Sequence, residues 1–174
     1  ASLLATWLEV HGTPEEKLRW KFAELMRAAE RGQTEEVARL LEHRDLDLHA
    51  TDTMYGDGMY GPYEDLSPIG LAAIKNRIDV MQVLVRAGAD LNISAVLQNG
   101  ATPLMLATWN GSSEAVQWLL DQGADWRSVH PKTGKNALGM ALERDHSEAA
   151  SLLATWLEVH GTPEEKLRWK FAEL

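Results

Sequence analysis

The 174-residue chain contains no cysteine, so it has no disulfide, no thiolate nucleophile and no cysteine-ligated zinc site. Basic residues are also in short supply, 17 against 26 acidic ones, and the formal net charge is -9. Binding to a phosphate backbone needs clustered lysine and arginine, so this balance argues against nucleic acid as a partner.

The chain also lacks a recognisable membrane or export segment. The apolar stretch Ala1–Val10 contains Glu9, has no basic residue before it and is much shorter than a membrane span. We therefore expect no membrane partner and a cytoplasmic location.

Patterns typical of catalysis are missing as well. None of the six histidines has the HExxH spacing of a zinc protease, and the serines lack the strand-turn-helix setting of a nucleophile. A helix start does not follow Gly56-Asp57-Gly58, although a phosphate-binding loop requires one. We expect no enzyme activity, no cofactor and no metal site.

What the chain does contain is the same segment at both ends. Residues 1–25, ASLLATWLEVHGTPEEKLRWKFAEL, recur letter for letter as residues 150–174. Natural duplications accumulate substitutions, so this identity favours an engineered chain. Each copy carries the same side chains and can therefore compete for one docking site.

Between the ends, a looser periodicity predicts four helix-pair units. The predicted domains are the duplicated segment 1–25, the repeat region 24–157 with units 24–50, 67–93, 101–127 and 136–157, the long loop 51–66, and a helical extension 158–174. Matching turn positions, which are separated by 44, 35 and 34 residues, are Gly32, Asn76, Gly111 and Asp145. A Gly-Ala-Asp triplet closes the second and third units, where glycine can end a helix.

These motifs resemble the ankyrin repeat. Thr102-Pro103-Leu104 and Ser67-Pro68-Ile69 echo its Thr-Pro-Leu start, and residues 88–92 echo its Gly-Ala-Asp-x-Asn loop. The first unit lacks Thr-Pro, and the fourth begins Asn136-Ala137-Leu138 and has no closing loop, as in a terminal capping unit. The resemblance implies an all-α ankyrin-repeat solenoid of about four helix-pair repeats with extra terminal capping helices.

The resemblance also implies a protein partner, bound by loop tips and by the first helices on a concave surface. The candidate residues at the ends of those helices are Ile74, Lys75, Trp109, Asn110, Glu143 and Arg144. We expect Trp109 and Ile74 to form an exposed apolar anchor, because aromatic anchors dominate interface energies. In the alternative, the long loop shields both side chains.

The long loop supplies further candidates, since tyrosine gives a large contact area at low entropic cost. They are Tyr55, Met59, Tyr60 and Tyr63. Two alternatives remain open, in which the tyrosines cover an exposed repeat edge or the acidic residues of the loop bind calcium. The spacing of those acidic residues does not reproduce a helix-flanked calcium loop, so no metal is predicted.

The duplicated segment predicts a helix of its own. Thr13 is suited to the N-cap, Pro14 to the first helical position and Glu16 to a capping box, and the helix should run into the first repeat. Ala1–Val10 matches the second helix of the fourth repeat but has no partner helix before it.

These first ten residues either pack locally as a cap or seek the groove filled by residues 150–159. Exchange within one chain would be a fold switch, and exchange between chains would give a head-to-tail homo-oligomer or filament. The candidate self-association residues are Leu3, Leu4, Trp7 and Leu8 in the first copy and Leu152, Leu153, Trp156 and Leu157 in the second.

Overall fold

The computed structural model describes residues 7, 10–42, 45–50, 66–94 and 100–172, and every regular element in these ranges is a helix. The helices are α1 (Pro14–Arg31), α2 (Thr34–Leu41), α3 (Pro68–Ile74), α4 (Ile78–Arg86), α5 (Pro103–Asn110), α6 (Ser113–Asp121), α7 (Ala137–Glu143), α8 (Ser147–His160) and α9 (Pro163–Ala172). The predicted all-α class is confirmed.

The helices stack in two layers. In the first layer, α1, α3, α5 and α7 contact one another in succession, and in the second layer α2, α4, α6 and α8 do the same. Each first-layer helix also contacts the second-layer helix that follows it, so the described chain stacks as helix pairs. The last helix, α9, contacts α8 at the end of the stack. This arrangement confirms the predicted solenoid.

Polar side chains fix where the first-layer helices begin. The side chains of Ser67, Thr102 and Asn136 accept hydrogen bonds from backbone N–H groups in the first turns of α3, α5 and α7. At α1, Thr13 and Glu16 form the predicted capping box, and the helix runs without a break from Pro14 into the first repeat. These bonds satisfy N–H groups that a helix start would otherwise leave unpaired.

The turn between the two helices of each pair needs a left-handed backbone. The φ angles at the four matching turn positions are positive, 73° at Gly32, 56° at Asn76, 72° at Gly111 and 57° at Asp145. Glycine adopts this conformation without strain, and asparagine and aspartate tolerate it better than other residues do. The positions aligned in the sequence are therefore equivalent in backbone conformation.

Small residues allow the first-layer helices to approach one another. Ala29, Ala73 and Thr108 occupy matching positions and are fully buried. Thr108 satisfies its hydroxyl locally, because its Oγ1 donates to Leu104 O at 2.7 Å. The matching residue of α7 is Leu142, which is 43% exposed because no described first-layer helix follows α7.

Candidate partner-binding surface

Side chains of one repeat cap the first-layer helix of the preceding repeat. The bonds run from Arg77 Nε to Glu30 O (3.1 Å), from Ser112 Oγ to Ile74 O (2.7 Å) and from His146 Nε2 to Trp109 O (3.0 Å). The last carbonyl groups of a helix have no partner within it, so these bonds satisfy them and fix adjacent repeats together. The predicted contact positions lie at the ends of α3, α5 and α7, and we call these positions the row. The row consists of Ile74, Lys75, Trp109, Asn110, Glu143 and Arg144.

Ile74 does not form an exposed anchor, contrary to the first expectation from the sequence. Its side chain is 3% exposed and belongs to a core cluster with Phe22, Met26 and Leu71. An isoleucine at the end of α3 can pack against α1, and burial of its aliphatic side chain is more favourable than exposure. The exposed apolar part of the row is therefore Trp109 alone.

Trp109 is 43% exposed and carries a cation on its ring. The guanidinium carbon of Arg144 lies 4.0 Å from the centroid of the Trp109 indole. Such stacking is stabilising and holds the guanidinium plane in a defined orientation. Arg144 makes no ion pair with any residue of the described ranges. We call Trp109 and Arg144 the Trp-Arg platform.

The other candidate positions of this row form bonds between or next to the repeats. Lys75 pairs with Glu30 at 3.0 Å, and Glu143 pairs with Lys135 at 2.6 Å. The Asn110 amide donates to Ile74 O at 2.9 Å. The acidic side chains on the two sides of the Trp-Arg platform, Glu30 and Glu143, are therefore each paired with a lysine.

The loop candidates Tyr55, Met59, Tyr60 and Tyr63, and the acidic residues of the same loop, lie outside the described residues. Within the described ranges, no group of three or more histidine, aspartate or glutamate side chains is placed to hold a metal ion. None of the described helices has the length and apolarity needed to cross a membrane.

A family model described as ankyrin repeats, in three copies, matches residues 25–130. The chain belongs to the ankyrin-repeat family. The match begins within α1 and continues through α6, and the fourth helix pair, α7 and α8, lies beyond it.

Segments of several longer proteins are similar to the chain. The ankyrin repeat and SAM domain-containing protein 6 of Rattus norvegicus is 33% identical over 145 residues, which cover 82% of this chain and 15% of that protein. A putative ankyrin repeat protein of fowlpox virus is 32% identical over 83 residues, which cover 48% of this chain and 24% of that protein. The NAD-capped RNA hydrolase NUDT12 of Macaca fascicularis is 45% identical over 58 residues, 33% of this chain and 12% of that protein. The chain thus spans less than a quarter of the length of these relatives.

A second cluster of polar groups lies at the C-terminal end of the ankyrin stack. Arg127 donates from Nε to Glu165 Oε1 at 2.8 Å, from Nη2 to Glu165 Oε2 at 3.2 Å and from Nη2 to His160 O at 3.3 Å. Its guanidinium carbon also lies 4.3 Å from the Trp126 ring centroid. Arg127 thus fastens the start of α9 to the loop of the third repeat, and we call this set of bonds the Arg127 clasp.

The clasp changes the acidity of Glu165. The hydrogen bonds from Arg127, and then the bond from the Thr162 N–H, lower the pKa of Glu165 from 4.5 to about 2. The charged form is favoured in the folded protein, so its contribution to stability is fully present above pH 4.5 and is lost as the pH falls through about 2.

We therefore expect Glu165→Gln to lower the melting temperature at neutral pH, and we expect this difference to shrink as the pH is taken down toward 2. The amide oxygen of glutamine can still accept the Thr162 bond, so the substitution removes the charge and one of the two acceptor oxygens that face Arg127. Thermal melts followed by circular dichroism at a series of pH values measure the difference. The control is Glu164→Gln, which removes the neighbouring exposed carboxylate. An effect of Glu165→Gln that does not vary with pH would contradict this account.

The candidate self-association residues differ between the two copies. In the second copy, Leu153 and Leu157 are buried, and Leu152 and Trp156 are half-buried. In the first copy, Trp7 is 55% exposed, and Leu3, Leu4 and Leu8 lie outside the described residues. The structure therefore places Leu153 and Leu157 of the second copy in the core and Trp7 of the first copy at the surface.

Sequence reasoning missed Arg127 and its pairing with Glu165. Arg127 lies 35 residues after Asn92, whose Oδ1 accepts a 2.7 Å bond from Asp125 N in the next loop. Asn92 accepts a bond from the loop of the following repeat, whereas Arg127 donates bonds to the end of α8 and the start of α9. Alignment of the repeats marks this position as one of inter-repeat contact, although it does not identify the acidic partner.

Proposed function

We propose that the chain is a protein-recognition module in which the Trp-Arg platform anchors a partner on the concave first-layer surface. The observation that carries this proposal is the 43% exposure of Trp109 beneath the stacked guanidinium of Arg144. A large aromatic side chain that is both exposed and held in place loses little entropy when it is buried by a partner.

The chemistry of the platform indicates the kind of partner. The guanidinium of Arg144 has donors available for a carboxylate, and the exposed indole offers apolar contact beside them. The neighbouring carboxylates of Glu30 and Glu143 are already paired with lysines. The platform therefore suits a peptide segment with an acidic side chain next to an apolar one.

The long loop is proposed to add contacts through Tyr55, Met59, Tyr60 and Tyr63, because its tyrosines provide amphipathic contact area. Among the helix-end positions, Lys75, Asn110 and Glu143 would line the edge of the contact. No catalytic role is proposed, and a cytoplasmic location stays a prediction from the sequence.

A phage-displayed peptide library selected on the full chain tests the platform. We expect selected peptides to combine an acidic with an apolar residue, and Trp109→Ala and Arg144→Ala to weaken their binding about tenfold or more. The control is Val129→Ala, which truncates an apolar side chain that is 58% exposed outside the row. Melting temperatures show whether the variants stay folded. Equal binding of the peptides to wild type and to Trp109→Ala would refute the proposal.

We also propose self-association through the identical ends, in which one molecule's Leu3, Leu4, Trp7 and Leu8 take the places of another's Leu152, Leu153, Trp156 and Leu157. The observation that favours it is the contrast between Trp7, 55% exposed, and Trp156, which packs against the principal core cluster. The engineered origin suggested by the duplication is a separate hypothesis that rests on the sequence alone. A molar mass that depends on concentration separates this proposal from a monomeric module.

A further inference from the structure

The Arg127 clasp holds a helix whose sequence is present twice in the chain. α9 begins at Pro163, and its residues 163–172 repeat residues 14–23 of α1 letter for letter. The start of α1 therefore carries the same side chains, in the same order, that α9 uses for its contacts.

The local structure of the two helix starts is also the same. At α9, Thr162 N donates to Glu165 Oε2 at 2.7 Å, and Glu165 N donates to Thr162 Oγ1 at 3.2 Å. At α1, Thr13 N donates to Glu16 Oε2 at 2.8 Å, and Glu16 N donates to Thr13 Oγ1 at 3.2 Å. The carboxylate that Arg127 binds is therefore presented in the same way by α1.

The surroundings of the two carboxylates are different. Glu165 pairs with Arg127, whereas Glu16 has no basic side chain within ion-pair distance in the described ranges. In the described ranges, Glu16 forms its hydrogen bonds with Thr13. Each molecule thus has one Arg127 and two carboxylates in matching capping boxes. The carboxylate of α1 is bonded to Thr13 and lies near the charge of Arg19, but it forms no ion pair with a described residue.

The surface around the clasp is a partly open cleft. It has a volume of about 410 Å³, and its apolar lining includes Trp126, Leu138, Leu157 and Trp169. Trp169 of α9 packs against the principal core cluster from this side. The end of the stack therefore offers apolar surface around an ion-pair site.

We propose that the Arg127 clasp is the docking site for the first turns of α1 from a second copy of the chain, and that α9 is an internal occupant that competes for it. This inference deepens the self-association proposed above by naming the contact that decides between the two copies. Docking of α1 joins the first repeat of one molecule to the C-terminal end of the stack in another, so the assembly is head-to-tail.

Variants of the full chain that reverse the charges of the ion pair test the proposal. They can be compared directly because Glu16 and Glu165 have the same local sequence and the same capping box. In Arg127→Glu with Glu165→Arg, the pair within the molecule is restored and the pair between molecules becomes repulsive. In Arg127→Glu with Glu16→Arg, the opposite holds. Both double variants lose one capping-box glutamate at the same local sequence, so each is the matched control of the other.

Molar mass by light scattering over a hundredfold concentration range is the readout, with circular dichroism to show that each variant is folded. We expect the Arg127→Glu, Glu16→Arg variant to rise to dimers or larger species at concentrations where the Arg127→Glu, Glu165→Arg variant stays monomeric. Equal masses for the two variants at every concentration would overturn the proposal.

The single variants Glu165→Gln and Glu16→Gln keep both capping boxes and guard against a double variant that fails to fold. Glu165→Gln should raise the mass relative to wild type, and Glu16→Gln should not. If Trp7→Ala lowers the mass of the wild type while the charge variants have no effect, the ends exchange without the clasp. If every variant and the wild type remain monomeric, both the clasp and the exchange are wrong, and the peptide-binding proposal is unaffected.

Discussion

Leu119→Ala is expected to lower the free energy of unfolding by about 2–5 kcal/mol, the range observed when a fully buried leucine is truncated. Leu119 of α6 is fully buried in the principal core cluster, which includes residues of every helix pair. Truncation leaves a cavity between stacked repeats that cannot collapse without moving helices on both sides. Urea unfolding monitored by circular dichroism measures the change in midpoint and slope.

The control for this variant is Leu142→Ala in α7. Leu142 is also a helical leucine of the stack, but it is 43% exposed. We expect its truncation to cost under about 1 kcal/mol, since little apolar surface leaves a buried environment. A Leu119→Ala variant no less stable than Leu142→Ala would show that the repeats do not share one cooperative core.

Gly111→Ala is expected to destabilise the fold by roughly 1–3 kcal/mol, through backbone strain and a steric contact. Gly111 has φ 72°, where an alanine Cβ approaches a carbonyl oxygen. A Cβ at this position would also lie 2.9 Å from Nδ1 of the His146 ring, whose Nε2 caps α5 at Trp109 O. The side chain would therefore push away a residue that joins the third and fourth repeats. Thermal and urea unfolding give the loss.

Gly88→Ala separates the two effects, because Gly88 also has a positive φ, 101°, but a Cβ there would have no atom within 4 Å. It should show the backbone strain alone and therefore a smaller loss of stability than Gly111→Ala. If the two variants lost the same stability, the contact with His146 would contribute nothing to the destabilisation of Gly111→Ala.

The fold was largely predictable because its signals are local and repeated. The caps at Ser67, Thr102 and Asn136 and the turn positions at Gly32 and Gly111 depend on bonds and dihedral angles within a few residues. The candidate surface was predictable only in part. Alignment of the repeats predicted that Trp109 and Ile74 are both exposed. Trp109 is 43% exposed, but Ile74 is buried where α3 packs against α1.

The two copies of the duplicated segment show where this limit lies. In both, a threonine and a glutamate form the same capping box, and the histidine Nδ1 donates to the tryptophan carbonyl four residues earlier at 3.1 Å. These contacts follow from the sequence alone, because every atom involved lies within one helical turn.

The two copies differ in burial and in ion pairing, and the tertiary structure decided both. Trp156 packs against the core, whereas Trp7 is 55% exposed. Glu165 pairs with Arg127, whereas Glu16 lies near the charge of Arg19 but forms no ion pair in the described ranges. Burial and ion pairing depend on which elements distant in the chain come to lie alongside. The sequence therefore determined the helices, their caps and their repeat. Only the stacking of the repeats determined which residues of the two identical segments are buried, Phe22 and Leu25 in the first copy and Leu153 and Leu157 in the second.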